Sequence, residues 1–313
     1  MARLLEDLLA LNTFAITYGA LNTQKHHKDI NDFPKRVSKA ITLKTFEINT
    51  SPSVHSALNN LLFSRAPYHS VRFFVKPMID WLGTFENGYF DFVIIDNEHG
   101  MASFETTEHL LRAARASGIM PIVRCFEADI PRVLDAGASG VKIPMVQSPD
   151  QADRIAQRIR YPRPSSQAGL RGTRGSAFST RAAGYGAFGG PAHTDRSNEN
   201  IGLIVMIETP EAIDAAAEIA SVEGVDAVFI GPNDLAHAMG HENRFQEEPV
   251  QRAIERAIRA ISDSGKCAGT LALDANSHQR YLDWGARYVA TVATSIIMRA
   301  FEQAAGISSE IRY

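Results

Sequence analysis

The chain has 313 residues, of which 45 % are apolar and 21 % charged, with a formal net charge of −3; this is an ordinary globular composition, long enough for one barrel-sized domain or two smaller ones. Its charges are dispersed in sign, so no basic field points to nucleic acid, and no apolar run approaches the roughly 18 residues that a membrane span needs. The two cysteines, Cys125 and Cys267, form no zinc-type spacing, so buried thiols in a cytoplasmic, reducing setting are expected.

Residues 1–41 are polar and irregular, with the run Gln24-Lys25-His26-His27-Lys28-Asp29, and are read as a solvated N-terminal extension. Glu6 and Asp7 interrupt the apolar stretch near Met1 and argue against a cleaved leader. Residues 42–313 are expected to form the folded domain. Its first strand is placed at Ile41 to Ile48, because Thr50-Ser51-Pro52-Ser53 after it has the character of a loop opening a helix. The alternative first strand is Val71 to Val75; on the favoured reading, Phe63 to Val75 is an insertion.

From residue 90 onward, short apolar runs alternate with helical stretches. Phe92 to Asp96 reads as a strand, Thr106 to Ser117 as a helix stopped by Gly118, and Met120 to Arg124 as the next strand. Ile130 to Ala136 is a short helix and Gly140 to Pro144 a strand. Ser148 caps a helix that has Pro149 in its first turn and runs to about Arg160. Residues 161–200 are glycine-rich and break the alternation, as a long loop does; loops of that length inside a compact domain are usually lids or binding segments. The pattern resumes with strands at Leu203 to Thr209 and Ala227 to Leu235, separated by a helix from Pro210 to Ala220. A long amphipathic helix, Pro249 to Gly265, follows. Strands at Lys266 to Leu273 and Arg287 to Val292 flank a helix at Ala275 to Trp284, and a C-terminal helix begins near Ser295. Strands that are apolar on both faces, each followed by a helix, imply a parallel sheet covered on both sides. Seven such strands follow residue 90, and one upstream completes a (β/α)8 TIM barrel.

Chemistry collects at the carboxyl ends of these strands. Glu208 and Asp234, 26 positions apart, each follow an apolar run; two such carboxylates facing one pocket share either a proton or a hard cation. With no Cys or His in either motif, Mg2+ or Mn2+ is the cation that fits. The Gly231-Pro232 turn leaves the backbone N–H groups of Asn233 and Asp234 free to receive a carboxylate, although Asp234 could equally be a plain helix cap. His99, in Asp96-Asn97-Glu98-His99-Gly100, is a candidate general base with Asp96 and Glu98 to orient it; the alternative is a histidine capping the next helix. Arg124 suits a substrate carboxylate or an enolate oxygen, unless it is spent in a salt bridge with Glu127 or Asp129. Asp135, alone, is an ordinary acid at a helix end.

Glu98-His99-Gly100, Val123-Arg124, Leu134-Asp135-Ala136-Gly137, Pro144-Met145-Val146, Tyr161-Pro162, Gly169-Leu170-Arg171-Gly172, Ile207-Glu208-Thr209, Gly224-Val225-Asp226 and Gly231-Pro232-Asn233-Asp234-Leu235 occur in that order. Across about residues 90–300 the set resembles the HpcH/HpaI aldolase family, which holds metal-dependent 2-keto-3-deoxy sugar acid and 4-hydroxy-2-oxo acid aldolases, and macrophomate synthase. The resemblance implies a barrel of the phosphoenolpyruvate/pyruvate-binding type, a homo-oligomer (trimer or hexamer) and an exchanged C-terminal helix. It implies that Glu208 and Asp234 ligate the metal, that His99 is the base, and that Asp135, with Asp96 nearby, raises its basicity. It implies that Arg124 stabilises the enolate oxygen and that the 231–234 turn holds the substrate carboxylate.

The expected activity is carbon–carbon bond cleavage or formation on a 2-keto acid, pyruvate or oxaloacetate, with an aldehyde partner. Oxaloacetate decarboxylation or a macrophomate-synthase-like condensation at the same site is the alternative, and a non-catalytic binding or assembly barrel is a third reading. This chain departs from the family pattern in three places. Met206 stands where family aldolases usually carry Gln. Thr291-Val292-Ala293 replaces a Gly-Val-Asp, and the spacing from Arg124 to Asp135 is short.

Overall fold

Runs such as Phe92-Val93-Ile94-Ile95 offer apolar side chains to both faces, so they gain most in a sheet that is covered on both sides. A computed structural model of the protein, which describes residues 68–73, 90–163 and 171–306, has that sheet closed on itself. Among the described residues the strands are β1 (Tyr68–Phe73), β2 (Phe92–Asp96), β3 (Met120–Arg124), β4 (Gly140–Ile143), β5 (Gly202–Ile207), β6 (Ala227–Ile230), β7 (Cys267–Leu271) and β8 (Tyr288–Val292). All pair in parallel in chain order, and β1 joins β8 to close the barrel.

This closure corrects the expected first strand. The backbone of Tyr68–Phe73 pairs with β2 on one side and β8 on the other, filling the eighth position of the ring. The favoured Ile41–Ile48 run, the extension 1–41 and the boundary at residue 42 lie outside the described residues.

Helices follow the strands: α1 (Phe104–Ala116), α2 (Ile130–Asp135), α3 (Pro149–Ile159), α4 (Gly190–Asn200), α5 (Pro210–Asp214), α6 (Ala216–Ser221), α7 (Pro232–Ala238), α8 (Glu248–Asp263), α9 (Ala275–Trp284) and α10 (Ala293–Ala304). Side-chain caps fix several starts. Ser103, Ser148, Thr209 and Asp274 each accept a backbone N–H from the first turn of the helix they precede. None of these helices is long and apolar enough to cross a membrane.

The strand alternation sorts the core into two layers. Val93, Ile95, Val141, Leu203, Val205 and Val228 point outward, under the helices. Phe92, Ile94, Ile122, Ile204, Phe229 and Tyr288 point inward and fill the barrel. The Tyr288 ring lies 5.0 Å from the Phe92 ring centre and 4.9 Å from that of Phe229. It fits there because its register partner is Gly269, where an added Cβ would stand 2.6 Å from the Tyr288 ring.

The 161–200 stretch, expected to be loop, contains α4. Its sequence, Gly-Pro-Ala-His-Thr-Asp-Arg-Ser-Asn-Glu-Asn, lacks an apolar stripe because it docks through polar groups instead. Asn198 exchanges two hydrogen bonds with the Tyr161 backbone, at 2.7 and 3.1 Å, and Ser197 accepts from Arg174 at 3.1 Å. Residues 164–170 of this stretch lie outside the described part.

Candidate active site

The parallel register sets site residues level on adjacent strands: Asp96 pairs with Arg124, and Arg124 with Lys142. Backbone hydrogen bonds extend the ladder beyond the strand ends, from Asn97 N–H to Arg124 C=O at 2.8 Å and from Gly231 N–H to Ile207 C=O at 3.0 Å. The carboxyl-end loops are therefore held by the barrel itself.

Arg124 is 1 % exposed, as is Asp96. Its Nε and Nη2 donate to Asp96 Oδ1 and Oδ2, both at 2.7 Å, and its Nη1 lies 2.7 Å from Glu98 Oε2. Of the alternative partners, Glu127 pairs with Arg158 instead. Burial works against the Arg124 charge, but the Asp96 hydrogen bonds and the charges of Asp96, Glu98 and Glu208 outweigh it and hold the pKa above its ordinary value. Asp96 has a second duty. Its Oδ1 accepts the backbone N–H of Glu98 at 3.2 Å and lies 3.5 Å from that of His99, folding the turn that carries both.

Glu208 follows β5 and is 2 % exposed. Its Oε2 accepts the Met145 N–H at 2.8 Å. Met145 supplies that N–H from a left-handed backbone (φ 57°), a conformation that costs a non-glycine residue about 1–3 kcal/mol and collects at functional sites. Burial raises the Glu208 pKa to about 7; the Met145 N–H opposes the rise, while the charges of Asp234 and Glu98 and a hydrogen bond with Asp234 add to it. Asp234 stands in the first turn of α7 and is exposed. The two carboxylates of the sequence reading are therefore adjacent in space. Gly231 lets the chain pass close against Glu208, since a Cβ there would lie 2.5 Å from both Glu208 Oε1 and Met206 Cε.

A cavity of about 300 Å3 opens above these groups, lined by His99, Arg124, Lys142, Met206, Phe229 and the 231–234 turn among others. His99 is at the rim, its side chain 63 % exposed and its Nε2 3.9 Å from Glu98 Oε2. Asp135 is not with it. The acid that ends α2 is held by Arg174, whose Nη2 donates to Asp135 Oδ1 at 2.7 Å, and it lines a separate groove with Glu105, Glu108, Arg132 and Arg181. Arg174 comes from the segment that precedes α4 and is itself 3 % exposed. Within this chain the Asp135 carboxylate serves the Arg174 ion pair. The residue that the sequence reading passed over is Lys142. Its signal was present, as a charged side chain in the otherwise apolar strand Gly140-Val141-Lys142-Ile143.

A model of the HpcH/HpaI aldolase/citrate lyase family matches residues 78–299. The chain is 38 % identical over 204 residues to a hydroxypyruvate/pyruvate aldolase of Delftia acidovorans, covering 64 % of this chain and 73 % of that one. It is 37 % identical over 221 residues to a 2-keto-3-deoxy-L-rhamnonate aldolase of Shigella sonnei, covering 69 % and 79 %. A crystal structure of an HpcH/HpaI aldolase/citrate lyase family protein from Burkholderia cenocepacia superposes with a TM-score of 0.74 at 28 % identity, covering 80 % of this chain and 98 % of that one. The reading as a non-catalytic barrel gives way to a carbon–carbon lyase. The ordered motifs, the closed eight-stranded barrel and these relatives agree that the chain belongs to the HpcH/HpaI aldolase/citrate lyase family.

Proposed function

We propose that the chain is a metal-dependent aldolase that makes or cleaves the carbon–carbon bond at C3 of a 2-oxo acid by way of a pyruvate-type enolate. The observation that carries this reading is the adjacency of Glu208 to Asp234 and to the buried Arg124, the last two of which line one cavity. Among the described residues no group of three or more His, Cys, Asp or Glu could enclose a metal. Two carboxylates are nonetheless a fitting set for Mg2+ or Mn2+, which keep several positions for water and substrate oxygens. A divalent cation held there supplies Lewis-acid polarisation of the keto group.

The chain's own residues supply the rest. Arg124, fixed by Asp96 and Glu98, presents its remaining N–H bonds to the oxygen that gains charge, without reorganising as it does so. The 231–234 turn lines the cavity where the substrate carboxylate would lie. His99 at the rim moves the proton between C3 or the acceptor oxygen and solvent. The exposed Ile296, Met298 and Phe301 of α10 support assembly of several copies.

The test is pyruvate consumption in the presence of Mg2+ or Mn2+ and a panel of short aldehydes such as glycolaldehyde. Consumption that requires both metal and aldehyde is expected; no consumption with any aldehyde would contradict an aldolase.

The proposal also predicts a stability effect at Glu208. A carboxyl raised from 4.5 to about 7 in the folded state binds more protons folded than unfolded. Stability is therefore lost as pH rises from about 4.5 to about 7, and the whole penalty is present above that. In protein stripped of divalent cations, Glu208→Gln is expected to raise the stability at pH 8 by about 3 kcal/mol and to have little effect near pH 5. Added Mg2+ or Mn2+ should stabilise the natural chain at pH 8 and leave the variant unmoved, which thermal melts will read directly.

A further inference from the structure

The charged groups that line the site cavity, Arg124, Lys142 and Asp234, come from β3, β4 and the first turn of α7. In a closed ring of eight strands taken in chain order, β7 and β8 stand opposite β3 and β4. What they place on the cavity is apolar: Leu271 and Leu273 from β7 and the turn after it, Ala290 and Val292 from β8. Leu271 and Ala290 belong to the inward-facing layer. The polar residues there are Tyr288, whose ring packs against Phe92 and Phe229, and Thr291, which also lines a separate groove with residues of α9 and α10. Among the described residues, no charged side chain of β7 or β8 lines this cavity. We propose that this wall binds the acceptor, and that the acceptor is an aldehyde with an apolar aliphatic tail rather than a hydroxylated or charged one.

Phe245 completes the wall from the segment between α7 and α8, and it is held in place before any ligand arrives. It is 2 % exposed and lines the cavity. Its backbone N–H donates to Asn243 C=O at 3.0 Å, and its C=O accepts from Gln251 Nε2 at 2.7 Å. Glu247 pairs with both His241 and Arg244 and so closes the turn around it. Leu271, Leu273 and Val292 are only half-buried, so apolar surface is left for a ligand to cover, which favours binding by the area removed from water. A hydroxyl brought against these side chains loses its water and gains no partner from them, which costs binding. The 2-oxo acid end is provided for on the other side by Arg124, the carboxylate pair and the 231–234 turn, so the apolar wall is left to the second substrate.

This inference rests on the reading of the site as a 2-oxo acid aldolase. In the step concerned, pyruvate gives up a C3 proton and C3 of the resulting enolate bonds to the aldehyde carbon. The π electrons of the aldehyde move onto its oxygen, which takes a proton. The product is a 4-hydroxy-2-oxo acid, and nothing is oxidised or reduced overall. Two measurements separate the wall from the site. Deuterium exchange at C3 of pyruvate by the natural enzyme with Mn2+ tests the site alone. Competition between two acceptors tests the wall: pyruvate is given with equal concentrations of 2-methylbutanal and glyceraldehyde, which differ by methyl for hydroxyl at two positions. The product ratio is then the ratio of the two kcat/KM values. The natural enzyme is expected to favour 2-methylbutanal by about 10–100-fold, the range over which an apolar pocket rejects a hydroxylated isostere. Leu271→Asn makes the wall polar at nearly constant size and is expected to lower that ratio by about tenfold or more.

Both aldehydes compete for one enzyme and one enolate, so a general loss of rate or of folded protein in the variant leaves the ratio unmoved. A ratio at or below one in the natural enzyme, or a ratio that Leu271→Asn does not shift, would overturn the proposal while leaving the site reading intact. No product from either aldehyde with exchange intact would overturn it as well. Absence of exchange in the natural enzyme would instead contradict the site reading, and the wall proposal would fall with it. If Leu271→Asn fails to fold, Val292→Thr, which keeps the side-chain shape, serves the same comparison.

Discussion

Replacing Arg124 by alanine is expected to be among the most damaging single changes in the protein, in both stability and rate. The substitution leaves Asp96, 1 % exposed, and Glu98 without the guanidinium that both of them face. Removing one partner of a buried ion pair typically costs about 3–5 kcal/mol, because the remaining charge stays desolvated. Asp96 also carries the turn that presents Glu98 and His99, so the loss spreads to the rim of the cavity. The rate should fall by a further factor on the order of 10²–10³, the usual effect of removing one preorganised donor from a developing oxyanion. A second variant separates the two effects. Asp96→Asn with Arg124→Gln replaces the charged pair by neutral hydrogen-bonding groups; its melting temperature should recover most of the loss while the rate stays low. Recovery of both together would mean that Arg124 acts only by holding the fold.

The second large effect is expected at a residue with no side chain at all. In Gly231→Ala the new methyl lies 2.5 Å from Glu208 Oε1, 2.7 Å from Glu208 Cγ and 2.5 Å from Met206 Cε. The end of the Met206 side chain can swing away. Glu208 cannot, because the Met145 N–H pins its other oxygen. The carboxylate must move by a sizeable fraction of an ångström, and misplacement on the order of 1 Å at a reacting centre costs about 10²-fold. The overpacking itself is expected to cost about 1–3 kcal/mol. Gly175→Ala is the matched control, since no atom of the described residues lies within 4 Å of a methyl there and its backbone is not left-handed. It should leave rate and melting temperature unchanged.

Much of this architecture could be read from the sequence because parallel strands are apolar on both faces and stand out against amphipathic helices. The strands from Phe92 onward, and the acids and Arg124 at their carboxyl ends, follow from that contrast. The first strand was met only by the alternative, Val71 to Val75, because Tyr-His-Ser-Val-Arg-Phe mixes polar and apolar residues while the loop-like Thr50-Ser51-Pro52-Ser53 drew the favoured placement to Ile41 to Ile48. Helix α4 did not follow from the contrast, since its contacts are made by Ser197 and Asn198 rather than by an apolar stripe. Within the site, adjacency of Glu208 and Asp234 could be anticipated from strand order alone. The capture of Asp135 by Arg174 could not, since it depends on the path of a long connection whose length says nothing about where its arginine lands. Lys142 shows the reverse case. One lysine in a buried strand is a local anomaly, and its meaning emerges only once the alternation turns it toward the cavity.

The central claim is that Glu208 and Asp234 hold a divalent cation at which a 2-oxo acid is converted to its enolate. Proton exchange at C3 of pyruvate in D2O, followed by NMR, reports that conversion without any need to know the aldehyde partner. The natural chain with Mg2+ or Mn2+ is expected to exchange the methyl protons, to stop when EDTA is added and to resume when the metal is restored, while Glu208→Gln stays inactive throughout. Exchange that persists in EDTA, or that survives in Glu208→Gln, would contradict the claim.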